Sequence, residues 1–495
     1  MSLRCWPIGH GSLFYVLLSG CGADKAPPGA ETWTPPAVDL AGAQQVSGSR
    51  LTARAWVSEA GPAISSPRFW DQELGEECTF RASEDGALRC LPTETAGWLF
   101  NALYADASCS DPVVEVPSDP AARPHFISLL LDGCPRTERL YELGDELGTA
   151  ARIGPDCVFR LQENPGTTVV RLGAAVAPAR FIRGAEVVSQ IDGAVALRQL
   201  TAEDGTARAV GFRDVALDQN CQAYLTPSGW RCVTDPARAQ WSWSGLGYYD
   251  GVDCMSEILA ALPCEQALYG LTLGSAPAVD DASMGAAQTV YHVYELAKAN
   301  TLGAEASPGL AACLEEARTN LSDDLYVHVR EADYASFPEL VPIARADGVI
   351  RGTWLGSPGG ALLLGDEEYA ADLFDARHQV RCTLMRAADK EMRCLPSDAV
   401  AYASGYYADD RCREGLVAST GNFRFAMGNA YDGESDELLG AAVHEPGPAY
   451  SGPVWSEVYG GPEVVCQPAE ASFDLLQLGP ELPATEFTRY DFVDQ

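Results

Sequence analysis

One pattern of cysteines occurs three times along this chain, and it constrains the fold more than any other feature. The first copy reads Phe69-Trp70-Asp71, six residues, Cys78, eleven residues, Cys90-Leu91-Pro92, then Tyr104-Ala105-Asp106 before Cys109. The second reads Phe212-Arg213-Asp214, six residues, Cys221, ten residues, Cys232, then Gly247-Tyr248-Tyr249 before Cys254. The third reads Leu373-Phe374-Asp375, six residues, Cys382, eleven residues, Cys394-Leu395-Pro396, then Gly405-Tyr406-Tyr407-Ala408-Asp409 before Cys412. Each second cysteine follows an arginine (Arg89, Arg231, Arg393), and each third cysteine lies five residues after a tyrosine. The first cysteines are 143 and 161 residues apart, the size of a domain. Such self-similarity marks a chain built from repeated units.

The ends of the units also correspond. Leu172-Gly173 and Leu478-Gly479 are followed, nine residues after the leucine, by Phe181 and Phe487. Val327-His328-Val329 and Phe337 form a looser third match. A chain of 495 residues exceeds one core and fits about three domains. The expected division is a β module over 49–187, a second over 188–345 and a third over 346–495.

Within a copy, Cys78 to Cys90 reads as strand, Asp85-Gly86 turn, strand; the second copy puts Pro227-Ser228-Gly229 in the turn. Short runs at Val349 to Leu355, Phe423 to Met427 and Phe473 to Leu478 read the same way. Helical periodicity is confined to Val290 to Asn300 and Leu310 to Thr319. The fold class is therefore expected to be all-β, as three tandem antiparallel modules of about 150 residues. A propeller-like arrangement is favoured, with a sandwich or barrel as the alternative.

The first two cysteines of each copy flank one turn, so Cys78–Cys90, Cys221–Cys232 and Cys382–Cys394 are expected to be disulfides, each contributing about 3 kcal/mol by chain entropy. A further cysteine precedes each module end. By position, Cys109–Cys157, Cys254–Cys313 and Cys412–Cys466 follow as pairs. Cys134 and Cys264 remain; they pair with each other, or the connectivity differs. Zinc would need closely spaced Cys or His pairs, which the ten- and eleven-residue gaps do not supply. No metal or cofactor is expected. The recurring aspartate, seven residues before the first cysteine, reads as a turn acceptor rather than a ligand.

The N-terminus sets the compartment. Arg4 precedes the apolar run Leu13 to Leu18, which is too short to span a bilayer as a helix, and Leu18-Ser19-Gly20-Cys21 follows. This resembles the lipobox of bacterial lipoproteins. The resemblance implies cleavage of a signal peptide over 1–20 and lipidation of Cys21. Residues 21–48 read as a Pro- and Gly-rich tether. The absence of Asp after Cys21 favours the outer membrane, by resemblance to enteric sorting. The cysteine repeat is similar to that of uncharacterised envelope lipoproteins of high-GC bacteria, and this resemblance carries no activity.

Thirty-four basic against 69 acidic residues leave a net charge of −35. That surface repels phosphate backbones and anionic lipid heads, so nucleic acid is excluded as a partner and the membrane is reached through the lipid anchor only. The catalytic signatures of α/β-hydrolases, P-loop enzymes and zincins are missing, and no catalytic residue is assigned. Trp241 and Trp243 alternate along one expected strand, which makes them a possible stacking platform; a core face is the favoured reading. The expected function is non-enzymatic binding or adhesion at the cell envelope, with a protein or glycan ligand. An envelope assembly role and then a hydrolase are the alternatives.

Overall fold

The computed structural model describes residues 45–58, 61–97, 103–106, 111–131, 136–148, 150–153, 158–161, 166–234, 258–261, 269–276, 288–298, 324–345, 348–358, 363–364, 372–397, 400–418, 423–431, 438–459, 464–471 and 474–494. These form β-strands joined by turns and short 3-10 segments, with no α-helix among the described residues. The protein is all-β. The described residues divide into a small unit, within Glu76–Ala185, and a large unit, within Pro36–Gly75 and Glu186–Gln495. The first boundary cuts between Asp71 and Cys78.

The three cysteine hairpins share one register. Cys78 lies opposite Pro92 and Phe80 opposite Cys90. Cys221 lies opposite Thr234 and Ala223 opposite Cys232. Cys382 lies opposite Pro396 and Leu384 opposite Cys394. Each disulfide thus joins a diagonal pair, and the twist of a two-stranded ribbon shortens one diagonal to a Cα–Cα distance of 5.2 Å. All six cysteines are buried.

The other repeated residues brace this hairpin. Asp71, Asp214 and Asp375 are buried, and each Oδ1 accepts two backbone N–H groups of the following turn: from Glu73 and Leu74, from Ala216 and Leu217, and from Arg377 and His378. The second oxygen meets different partners, accepting from Arg50 at 2.7 Å in Asp71 and lying 3.0 Å from His378 Nδ1 in Asp375. Arg89 and Arg393 each grip the carboxylate four residues earlier and donate to the carbonyl of the module-end phenylalanine, Phe181 or Phe487, at 2.7 Å. Phe181, Phe337 and Phe487 are all buried, each directly after a 3-10 turn. The loose match at Phe337 is therefore a true equivalent.

Each module-end segment pairs with the second cysteine strand. The N–H groups of Cys90, Cys232 and Cys394 donate to the carbonyls of Ile182, Pro338 and Thr488 at 2.9 Å. In the large unit these segments continue into the next meander. Val341–Arg345 pairs with Ile350–Gly356. Arg489–Asp494 pairs first with Met392 and Arg393, then with Arg54 to Val57. There the Trp56 and Phe492 rings lie 4.5 Å apart and the Arg54 guanidinium sits 4.2 Å above Phe492. Tyr490 in this strand is 1% exposed, and Gly61 leaves the room its hydroxyl needs, since a Cβ there would collide with it. Burial pushes the Tyr490 hydroxyl pKa up. Hydrogen bonding thus runs on from meander to meander.

A second kind of sheet follows each cysteine hairpin. Over residues 400–481 its pairings close on themselves. Val400–Tyr407 pairs antiparallel with Gly415–Ala418, which pairs with Leu475–Glu481, then Leu438–Ala449, then Phe425–Tyr431, which returns to Val400–Tyr402 in parallel. That is a five-stranded closed barrel, the alternative weighed against a propeller. One face of Phe425–Tyr431 packs Phe425 and Met427 on Val380, Leu395 and Phe487 of the cysteine meander. The other face places Ala426 with Ala401 and Val417 inside the barrel. The small unit repeats this pairing order from Thr95–Gly97 round to Thr167–Ala175.

One expectation is corrected. Of the run Val290 to Asn300, read as helical, the described residues 290–298 lie instead in the strand Gln288–Lys298, paired with Tyr269–Ala276 on one side and Asp324–Glu331 on the other. The run Thr289 to Tyr294 is dense in β-branched and aromatic residues, and two flanking strands outweigh the helix-forming Leu296-Ala297-Lys298. Leu310 to Thr319 lies outside the described residues.

Candidate functional site

The loop Ala408–Gly415 forms one wall of a pocket at the mouth of the barrel over residues 400–481. Asp409 Oδ1 accepts the N–H groups of Arg413 and Glu414, both at 2.8 Å. Burial alone would raise the Asp409 carboxyl pKa, but the backbone N–H groups of Glu414, Arg413 and Arg411 outweigh it and hold the group below its ordinary value. Cys412 adopts a left-handed φ of 52° and is bonded to Cys466, with a Cα–Cα distance of 5.7 Å. The Tyr-Ala-Asp-to-cysteine motif therefore builds a tied loop. In the small unit Asp106 plays the same part, accepting the N–H of Asp111 at 2.9 Å.

The pocket holds about 600 Å³. Arg413, Glu414, Asn429, Tyr431, His444, Gln477 and Glu481 line it, together with Leu416, Ala430, Ala442, Leu478 and backbone at Gly415 and Gly479. His444 Nδ1 lies 3.1 Å from the Gly479 carbonyl oxygen. A carbonyl only accepts, so Nδ1 carries the hydrogen of this contact. Asn429 Nδ2 donates to the Tyr431 hydroxyl at 3.3 Å. Tyr431 is 40% exposed, and its strand partner Leu438 is 50% exposed.

The small unit carries a corresponding set of strands. Glycines fix the correspondence: Gly144 and Gly447 each sit against the carbonyl of the strand that bears Gly173 or Gly479, at Arg171 and Gln477 respectively. Gly173 and Gly479 in turn abut the carbonyls of Glu142 and Glu445. In this alignment Tyr141 corresponds to His444, and each faces its strand partner, Ile127 or Ala426. Continuing along the strand, Leu129 and Leu131 of the small unit correspond to Gly428 and Ala430. Ile127 and Tyr141 pack together in the small unit's core. At the corresponding positions the small unit carries Ile, Leu, Leu and Tyr, and the barrel over residues 400–481 carries Ala, Gly, Ala and His.

Of the residues singled out from sequence, Cys78, Cys90, Cys221, Cys232, Cys382, Cys394, Cys412 and Cys466 form the four expected disulfides. Cys21, Cys109, Cys134, Cys157, Cys254, Cys264 and Cys313 lie outside the described residues, as do Trp241 and Trp243. The recurring aspartates cap turns and stand apart from the pocket lining. His444 and its neighbours carry no signal in the sequence, because the pocket lies where the copies differ.

Residues 36–315, more than half of the chain, match a family of unknown function (DUF7481), and the chain belongs to that family. The pocket lies beyond the matched segment. No curated protein and no solved structure matches the chain.

Proposed function

We propose that this member of the family is an exported lipoprotein, held at the cell envelope through Cys21, which binds a ligand without transforming it. The observation that carries the reading is an open polar pocket in a disulfide-braced barrel. Disulfides persist in oxidising compartments, so four of them are compatible with export. The pocket lining offers binding groups but no serine, threonine or cysteine nucleophile for His444 to activate. The net charge of −35 keeps the folded body off anionic surfaces and leaves attachment to the acyl chains, which contribute about 0.8 kcal/mol per buried CH₂. The outer membrane is the favoured site.

A second reading, envelope assembly, draws on the exposed apolar side chains Val188, Ile191, Val215 and Leu217 of the large unit, of which Ile191 is 67% exposed. The decisive experiment is fractionation of Cys21→Ala against the parent, with added protease on intact cells. The variant should leave the membrane pellet for the soluble fraction. A variant that stays in the pellet overturns the anchored reading. Digestion on intact cells favours capture of an external ligand, and protection until the outer membrane is opened favours assembly or periplasmic binding.

A further inference from the structure

We propose that the barrel-mouth pocket takes a neutral sugar residue of a glycan, an inference that rests on the binding reading above and names its ligand. Arg413 lines the pocket with Glu414 and Glu481, so these three side chains sum to one negative formal charge, inside a molecule that is itself strongly acidic. An anionic ligand such as a phosphate or a uronic acid is therefore repelled.

Shape excludes an acyl chain. The wall behind the pocket is the small, closed core of Ala401, Val417 and Ala426, which offers no channel to swallow a hydrocarbon. A metal ion lacks ligands, since no group of three His, Cys, Asp or Glu side chains converges among the described residues.

What remains is a surface suited to hydroxyl groups. His444 Nε2, the Glu414 and Glu481 carboxylates and the amides of Asn429 and Gln477 provide acceptors and donors, and Arg413 adds a fork of donors. Neighbouring sugar hydroxyls each donate and accept, which matches carboxylate, amide and imidazole groups set side by side. Tyr431 supplies an exposed aromatic ring at the lip, braced by Asn429, against which the C–H face of a pyranose can pack. Ala430 and Ala442 give the lining two short side chains. Gly428 matters most: a Cβ there would stand 2.9 Å from Leu478 Cδ1 and 4.0 Å from His444 Nε2, between two lining side chains.

The test uses the detergent-extracted full chain on an array of neutral, N-acetylated, sulfated and uronic-acid glycans, followed by titration of the best neutral oligosaccharide. Retention on neutral glycans is expected, with at least a tenfold loss of affinity in Tyr431→Ala and in His444→Ala. Gly428→Leu and Ala430→Leu, which restore the side chains the small unit accommodates, should abolish binding while the far-ultraviolet circular dichroism stays unchanged. Ala430→Leu keeps the test valid should Gly428→Leu fail to fold. No retention on any neutral glycan, a preference for anionic ones, or affinity untouched by these four variants overturns the proposal. If glycans fail while Cys21→Ala is still released from membranes, only the ligand class falls; a Cys21→Ala protein left in the pellet removes the envelope reading whatever the array shows.

Discussion

Replacing Asp375 by alanine should open the turn after its strand by a calculable amount. The carboxylate is 1% exposed. Its Oδ1 accepts from the N–H of Arg377 at 2.8 Å and of His378 at 3.2 Å, and its Oδ2 lies 3.0 Å from His378 Nδ1. Hydrogen bonds to a charged acceptor contribute roughly 1.5–3 kcal/mol each, so two of them amount to about 3–6 kcal/mol. Arg377 is exposed and water can replace part of what its amide loses, which places the expected cost near the lower end, about 3 kcal/mol. Hydrogen exchange read by mass spectrometry on the peptide spanning 376–384 measures this directly. A loss of about 3 kcal/mol speeds exchange of the two amides roughly a hundredfold. Asp375→Asn keeps an acceptor oxygen and should cost less than half as much. An acceleration below threefold in the alanine variant, or equal effects of alanine and asparagine, would refute the view that the recurring aspartate is a turn cap.

Two further outcomes follow from the same contacts. Removing Cys412–Cys466, with a sequence separation of 54, should cost about 4 kcal/mol by chain entropy, against about 3 kcal/mol for Cys382–Cys394, with a separation of 12. Urea unfolding of Cys412→Ala/Cys466→Ala and Cys382→Ala/Cys394→Ala compares them, and the reverse order would contradict the entropic account. The Arg393 hydrogen bond holds the Asp389 carboxyl below its ordinary 3.8. A depressed carboxyl stabilises the fold above its unfolded pKa and loses that contribution as pH falls through the folded value. Asp389→Asn should therefore be less stable than the parent at neutral pH, with the gap narrowing below about pH 4; a gap that stays constant from pH 7 to pH 3 counts against the pairing.

The cysteine hairpins were legible because a turn of fixed length sets the register of both strands, and register places the thiols. The same repeat flagged Asp71, Asp214 and Asp375 as turn acceptors, and the structure gives each the two backbone donors that reading requires. The strand Gln288–Lys298 was misread because a short run ending in Leu296-Ala297-Lys298 suits a helix until two neighbouring strands claim its backbone. The pocket was hidden for a different reason. Its lining residues come from several strands and a loop and carry no motif of their own. The barrel closure was equally out of reach, since it depends on the long strand Val400–Tyr407 serving two partners at once.

The most direct measurement of the account is mass spectrometry of peptides from the natively exported protein, digested without reduction. The account predicts an acylated N-terminal peptide beginning at Cys21, together with linked peptides for Cys78–Cys90, Cys221–Cys232, Cys382–Cys394 and Cys412–Cys466. An unprocessed N-terminus carrying Met1, with free thiols at those eight positions, would contradict it.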